Sequence, residues 1–189
     1  MNGTFIVFEG QDRSGKSTCI ENVLEKMPYV VYGKGLNSDT IVGRFAKKHP
    51  STLCYLTEIA YLTYTHIIPN LIKGKTVLQD RYEYSVISFV PSVDKWYNKL
   101  LVKAFKPFLL KPDKILYFTC QPYERVNRLR QAADNPAHQY LLEHPELIEM
   151  REHRYKELMK YDNYSVIDTT SLTLEQTCET AQRIITTNK

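Results

Sequence analysis

Short apolar runs alternate along the chain with longer segments of mixed polarity. The runs are rich in β-branched and aromatic residues, a composition typical of buried strands. They predict strands at residues 4–8, 29–32, 76–79, 114–119 and 165–167. The segments between them have helical spacing of apolar residues or begin at a helix-starting proline. They predict helices at 19–26, 40–48, 51–73, 83–90, 94–110, from Pro122 onward, 146–161 and 174–185.

This alternation predicts an α/β fold built on a five-stranded parallel sheet. Right-handed crossover connections would place helices on both faces of the sheet and so create three layers. The sequence contains no internal repeat, low-complexity tract or linker. We therefore expect a single domain that covers residues 1–189.

The longest predicted helix covers residues 51–73 and carries a stripe of mostly apolar residues at helical spacing. The stripe consists of Leu53, Leu56, Ile59, Ala60, Thr63 and Ile67. Such a stripe usually faces a core, although it can also form a contact between subunits. Pro69 lies inside this helix, and we expect it to kink the helix or tighten its last turns.

Three other segments have less regular patterns. Gly33-Lys34-Gly35 is predicted to form a turn or loop after the second strand. Trp96 and Phe105 are assigned to packing on their helix. Residues 131–138 are polar and have few apolar groups to hold them against a core, so we expect this stretch to be mobile.

Composition sets limits on the class of protein. The chain has 43% hydrophobic and 24% charged residues, which is ordinary for a globular domain. Its net charge of +4 suits an anionic ligand but is below what nucleic-acid binding usually requires, so we expect no nucleic-acid partner. The cysteines are widely spaced, which predicts reduced thiols rather than a zinc site. They are Cys19, Cys54, Cys120 and Cys178.

The sequence predicts no secretory signal and no membrane span. The first residues lead directly into a predicted strand, without a charged segment followed by an apolar one. No apolar run approaches the length of a membrane span. We therefore expect a soluble protein of the cytoplasm that does not associate with membranes.

The segment from Phe8 to Thr18 contains the strongest motif in the chain. Gly10, Gly15, Lys16 and Ser17 fill the pattern G-x-x-x-x-G-K-[ST] between a predicted strand and a predicted helix. The glycines allow successive amides, with Ser14 and Thr18 beside them, to point at an anion. The lysine can reach the outer phosphates of ATP, and the Ser17 hydroxyl is placed to ligate Mg²⁺. The motif predicts a phosphate-binding loop.

Two further groups of charged residues accompany this loop. Asp80 and Arg81 follow the third predicted strand, and ligands of open α/β sheets bind beyond the carboxyl ends of strands. Asp80 is a candidate for binding Mg²⁺ through water and Arg81 for gripping a phosphate, although the pair could also be a salt bridge. Arg125, Arg128 and Arg130 are predicted to form a basic helix surface that closes over ATP or is simply solvated.

These motifs together resemble the thymidylate kinase family of nucleoside monophosphate kinases. The resemblance rests on Phe8 to Thr18, on Asp80-Arg81-Tyr82, on Lys111-Pro112-Asp113 before an apolar strand, and on the arginine segment from Arg125 to Arg130. It implies a P-loop kinase fold with an Arg-rich lid at about residues 125–142. It also implies ATP and Mg²⁺ as cofactors, dTMP as the acceptor, and a homodimer.

The resemblance assigns roles to individual residues. It implies that Asp12 faces the acceptor nucleotide and that Arg13, like the P-loop arginine of some family members, bridges donor and acceptor phosphates. Lys16 and Arg128 are expected to hold ATP, with Arg128 on the adenine or phosphate side. Candidates for contact with the acceptor base or sugar are the tyrosines at three positions, each of which could instead be packing. They are Tyr61, Tyr84 and Tyr140.

The chain departs from the family pattern at two stretches. The family usually has a Phe-Pro-x-Arg motif after the second strand, where this chain has residues 34–38, and a base-reading arginine in the long helix, where it has residues 58–61. The motifs present in the chain therefore predict kinase chemistry, but they do not determine that the accepted base is thymine. The alternatives are a related P-loop kinase for another deoxynucleotide or a deoxynucleoside, and a nucleotide-binding regulatory protein.

Overall fold

The sheet organises the molecule and has five strands, all parallel. The computed structural model describes residues 3–90, 94–132, 135–160 and 164–187. The strands are β1 (Phe5–Gly10), β2 (Val30–Lys34), β3 (Thr76–Asp80), β4 (Lys114–Thr119) and β5 (Tyr164–Asp168), in the spatial order β2-β3-β1-β4-β5. The predicted fold class is thus confirmed, and β1 lies at the centre of the sheet.

Helices cover both faces of this sheet. They are α1 (Lys16–Lys26), α2 (Ile41–Lys48), α3 (Thr52–Leu62), α4 (Ile68–Ile72), α5 (Glu83–Phe89), α6 (Trp96–Phe105), α7 (Pro122–Arg130), α8 (Pro136–Glu143), α9 (Pro145–Met159) and α10 (Leu174–Thr186). Because alternate strand residues point to opposite faces, Ile6 and Phe8 pack with α1 and α10, whereas Phe5 and Val7 pack with α3 and α4. The core therefore has two layers, separated by the sheet.

Strand register determines where the functional loops meet. Phe8 in β1 pairs with Asp80 in β3, and Gly10 pairs with Phe118 in β4. The segments that follow β1 and β3 therefore leave the sheet side by side at its carboxyl edge, where α/β sheets bind ligands.

The long predicted helix is interrupted by a π-helical turn at Thr63–Ile67, which joins α3 to α4. Pro69 has no amide hydrogen for the carbonyl of Thr65, and Thr63 Oγ1 hydrogen-bonds the Ile59 carbonyl at 2.7 Å. The helix thus widens before the proline, and of the two expected effects, a kink or a tightening, the tightening is not found. Most of the predicted stripe is buried, but Leu53 is exposed.

Two other expectations are corrected, and one segment contains a helix start that the sequence analysis does not predict. Gly33 and Lys34 belong to β2 and pair with β3, because Gly33 leaves room for the side chains of Gln79 and His66. The polar stretch at 131–138 includes the start of α8, capped by Asn135, while residues 133–134 lie outside the described part. Trp96 is 76% exposed and is not a packing residue.

The described residues include no helix that is both long and apolar enough to cross a membrane.

Candidate active site

The loop after β1 has the backbone shape that the glycine motif predicts. Gly10 has a φ of 147°, and a Cβ at this position would lie 2.4 Å from the Phe118 carbonyl oxygen. Arg13 and Gly15 also have positive φ, 61° and 83°. Helix α1 begins at Lys16 with no side-chain cap on its first amides. We call residues 10–17 the phosphate loop, because its backbone and the helix N-terminus suit an anion.

Lys16 is buried at the base of this loop. Its Nζ contacts Asp80 Oδ1, and Tyr32 lies with its hydroxyl 3.5 Å from Asp80 Oδ2. Burial lowers the pKa of Lys16, as does the positive charge of Arg81, while Asp80 opposes both effects. The sheet edge thus brings together Lys16, at the start of α1, and Asp80, at the end of β3; the sequence predicts both residues at this edge but not their contact.

Arg81 adjoins this pair and connects it to the phosphate loop. Its backbone has a φ of 70°, and its guanidinium donates to the Gly10 carbonyl at 2.8 Å and to Asp12 Oδ1 at 2.7 Å. Burial acts to lower the pKa of Arg81, but Asp12 and other nearby acidic groups outweigh it and raise the pKa. Arg81 is therefore held as a cation beside Asp12.

A buried carboxylate fixes the segment that carries Arg81. Glu9 is completely buried and accepts hydrogen bonds from the Tyr82 amide at 2.8 Å, the Ser85 hydroxyl at 2.5 Å and the Tyr155 hydroxyl at 3.1 Å. Burial raises the pKa of Glu9, against the opposing effects of Ser85 and Arg81. This network joins β1, α5 and α9 directly beneath the site.

The phosphate loop forms one wall of a cleft of about 690 Å³. The lining also includes Arg128 of α7, whose guanidinium bonds Thr169 Oγ1 at 2.9 Å and the Thr169 carbonyl at 2.8 Å. The Arg13 guanidinium lies 3.5 Å from His138 Nδ1 of α8. We call this space the phosphate-loop cleft.

A second cleft, of about 520 Å³, opens beside the first, and we call it the Phe89 cleft. Its aromatic and apolar lining includes Leu36, Tyr55 and Phe89, and its cationic lining includes Arg81 and Arg151. The guanidinium carbons of the two arginines lie 4.6 and 4.3 Å from the centre of the Phe89 ring. The cleft can therefore hold a flat ring together with an anionic group.

Asp12 and Arg81 line both clefts. The ion pair between them is thus a shared wall, with the phosphate loop on one side and Phe89 on the other. Two ligands bound in the two clefts would meet at this wall.

Some predicted contacts are not located at either cleft. Tyr61 is exposed on α3, Tyr84 is buried with Tyr117 and Tyr155, and Tyr140 stacks on His144, so none of the three tyrosines lines the described clefts. The burial of Tyr84 and the outward position of the other two explain the discrepancy.

The arginines of α7 do not form one exposed face. Arg125 is 2% exposed and bonds the Cys120 carbonyl and Glu152, because its side of the helix packs towards α9. Arg130 is exposed beside Tyr123 and Pro145, in a different groove. Arg128 is the member of this group that reaches the phosphate loop.

Several lining residues were not identified from the sequence. Phe89 lies one helical turn after Ser85 on α5, a spacing that could have placed it on the same face as the Glu9 network. Thr169 follows the last residue of β5, so the rule of strand carboxyl ends could have found it. Arg151 and Tyr55 belong to helices with many polar or aromatic residues and gave no distinguishing signal.

Oxygen donors suitable for Mg²⁺ are available at the phosphate loop. Ser17 is exposed at the start of α1, and the Asp80 carboxylate contacts the Lys16 ammonium group. A hydroxyl and a carboxylate are ligands that Mg²⁺ accepts when phosphates and water complete its shell. The described residues contain no group of three or more acidic, histidine or cysteine side chains that would hold a metal alone. The donor set therefore fits an ion that arrives with a nucleotide.

The fold and these clefts define a P-loop kinase of the α/β class. Solved structures support this fold: thymidylate kinase from Candida albicans has a TM-score of 0.71 at 19% identity, covering 97% of this chain and 91% of that one. Thymidylate kinase from Ehrlichia chaffeensis has a TM-score of 0.66 at 17% identity, covering 97% and 98%.

The sequence comparisons identify the family. The thymidylate kinase family model matches residues 8–180, so the chain belongs to the thymidylate kinase family. Thymidylate kinase from Leptospira borgpetersenii is 30% identical over 69% of this chain and 70% of its own length. The probable thymidylate kinase of Methanocaldococcus jannaschii is 28% identical over 93% and 92%. The predicted family is confirmed, and with it an enzyme of the kinase class.

Proposed function

We propose that this enzyme transfers the γ-phosphoryl group of ATP to dTMP, giving dTDP and ADP, with Mg²⁺ as the metal cofactor. The observation that carries this proposal is the wall of Asp12 and Arg81 shared by two clefts. Phosphoryl transfer requires two anionic groups held in line, and two adjoining clefts that share the guanidinium of Arg81 meet that requirement.

ATP is assigned to the phosphate-loop cleft. Its phosphates would be held by the loop amides and Lys16, and its adenine or ribose would lie beside Arg128 and Thr169. In this arrangement the Lys16 ammonium group leaves the Asp80 carboxylate and contacts phosphate oxygens instead. Ser17 and Asp80 are the residues that would hold Mg²⁺, which neutralises charge on the phosphates.

The acceptor is assigned to the Phe89 cleft. Its base would lie among Tyr55, Leu36 and Phe89, and its phosphate would face Arg81 and Asp12. No general base is needed, because a nucleotide phosphate is already ionised at neutral pH. Arg13, exposed on the loop beside His138, supplies a guanidinium that can bridge the two phosphates as charge develops.

A coupled ADP-release assay with dTMP, dUMP, dCMP, dGMP, dAMP and thymidine tests the proposal. We expect the highest kcat/KM for dTMP. Phosphorylation of thymidine without phosphorylation of dTMP would contradict it and favour a nucleoside kinase. Lys16→Ala and Arg81→Ala should each abolish turnover, whereas Lys26→Ala, at the exposed end of α1, is the matched control and should not.

We also propose a homodimer formed through α3 and α6. These helices pack together and each leaves large apolar side chains exposed, and exposed apolar surface can mark a protein interface. Its members include Leu53, Tyr61, Trp96 and Leu100. Analytical ultracentrifugation should give a dimer for the unchanged chain and a monomer for Leu100→Glu; a monomer for the unchanged chain would refute it. The cytoplasmic location stays a prediction from the sequence.

A further inference from the structure

Arg151 enters the Phe89 cleft from α9, on which the sequence gave no site residue. Its guanidinium carbon is 4.3 Å from the centre of the Phe89 ring, against 4.6 Å for Arg81. The two guanidinium groups also approach the same carboxylate: Arg81 bonds Oδ1 of Asp12, and Arg151 lies nearest to Oδ2. They are therefore close enough to contact one small anion together.

The side chains that line the Phe89 cleft carry more positive than negative charge. Among the described residues that line the Phe89 cleft, Lys34, Lys47, Arg81 and Arg151 are cationic and Asp12 is the acidic one. Arg154 on the same helix adds a positive charge nearby, although it is engaged by Asp94 and by the Ser88 and Val90 carbonyls. One carboxylate thus faces two guanidinium groups at close range.

Arg151 is poorly satisfied in this environment. Its side chain is 13% exposed, and its Nη1 is 4.0 Å from Asp12 Oδ2, too far for a hydrogen bond. Its Nε is buried with no hydrogen-bond partner. A buried guanidinium nitrogen without an acceptor is costly, and a phosphate oxyanion supplies acceptors in the fork geometry that arginine matches.

We propose that Arg151 is a second phosphate-binding arginine of the acceptor site, facing the same phosphate as Arg81. The pair makes the site select a nucleoside monophosphate over the corresponding nucleoside. The stretch that replaces the Phe-Pro-x-Arg motif contributes Lys34, Leu36 and Asn37 to this cleft, and none of these is an arginine. The second guanidinium of the cleft, after that of Arg81, therefore comes from Arg151 of α9. This inference rests on the proposed function, because it takes the Phe89 cleft as the acceptor site.

Equilibrium binding separates this role from a structural one. Calorimetry would compare dTMP with thymidine on the full chain, for the unchanged protein and for Arg151→Met, Arg151→Lys and Lys156→Met. Lys156→Met is the matched control, because this substitution removes one positive charge from an exposed position on the same helix. Thymidine has the base and sugar but no phosphate, so its affinity also reports whether each variant is folded.

Arg151→Met should weaken dTMP binding by about 10- to 100-fold, the value of a charged hydrogen bond, and leave thymidine affinity unchanged. Arg151→Lys should retain part of the difference in affinity between dTMP and thymidine, and Lys156→Met should retain all of that difference. An equal loss for dTMP and thymidine, or no loss, would overturn the inference.

Together with the ADP-release assay on the panel of nucleotides, these measurements distinguish this inference from the proposed function. If the unchanged protein prefers another deoxynucleoside monophosphate, the assignment of dTMP fails, and Arg151 is judged on that nucleotide and its nucleoside. If dTMP is preferred but Arg151→Met keeps the ratio of dTMP to thymidine affinity, the role of Arg151 fails and the proposed function stands.

Discussion

The hydroxyl of Ser85 donates a 2.5 Å hydrogen bond to Oε2 of Glu9, in a position where both residues are completely buried. This bond connects β1 to the helix that follows Arg81. It therefore links the stability of the central strand to the position of an active-site arginine.

Removal of this hydroxyl should be costly. We expect Ser85→Ala to lower the free energy of unfolding by about 1 to 3 kcal/mol, because the buried carboxylate loses a donor. Ser88→Ala is the matched control: Ser88 is equally buried on α5, but its hydroxyl has no hydrogen-bond partner, so its loss should cost little. Urea denaturation measures both values, and equal losses would show that the bond to Glu9 adds nothing.

The pH dependence of ATP binding should reveal the buried state of Lys16. Burial lowers the pKa of Lys16 below its ordinary value of 10.5, so the amine loses its charge at a lower pH than an exposed lysine. ATP affinity should therefore fall as the pH rises towards 10.5. Binding of a fluorescent ATP analogue measures this fall, and Lys26→Ala should leave it unchanged. Constant affinity over the range would contradict the prediction.

Only glycine fits at position 35, because the backbone there lies against the segment that follows β3. A Cβ at this position would lie 1.6 Å from the Arg81 carbonyl oxygen, a backbone atom that cannot move independently. We expect Gly35→Ala to destabilise the protein by about 2 to 4 kcal/mol. Gly74→Ala has an unfavourable φ of 74° but no atom near the added carbon, and should cost about 1 kcal/mol. Thermal unfolding of both variants tests the difference.

Arg128 and Arg130 should differ in their effect on ATP. Arg128→Ala removes the bonds to Thr169 and should raise the KM for ATP by about tenfold, with a smaller effect on the KM for dTMP. Arg130→Ala, on the same helix but in a different groove, should change neither value. Steady-state kinetics with each substrate varied in turn would decide, and equal effects of the two substitutions would remove Arg128 from the ATP site.

Local patterns were sufficient for much of the fold. The apolar runs predicted all five strands, and the glycine spacing predicted the phosphate loop, because both depend on neighbours in sequence. The sequence pattern predicts a turn at Gly33, but this residue belongs to β2. Its place in the strand depends on packing against Gln79 and His66, which are distant in sequence and therefore absent from the local pattern. Asn135 and Pro136 are a local signal for the start of α8, but the polar residues around them obscure the apolar spacing by which a helix is predicted.

The acceptor side of the site was the hardest to predict. Tyr55 lines the Phe89 cleft, whereas Tyr61, six residues later, is exposed on the outer side. Aromatic residues are frequent in this chain, so residue type alone does not identify the one that faces the cleft. Arg151 is one of several charged residues on α9, and only the packing of that helix against α5 brings it to Phe89.

The π-helical turn at Thr63–Ile67 has a consequence for reading relatives of this chain. A π turn holds about one residue more than an α turn, so an aligned relative with a regular helix here needs a one-residue gap at this point. Without that gap, every position of α3 upstream of the turn would be matched to a neighbour about 100° away around the helix. The correspondence of Tyr55 and Glu58 with residues of other family members is therefore best decided by superposition of the helices.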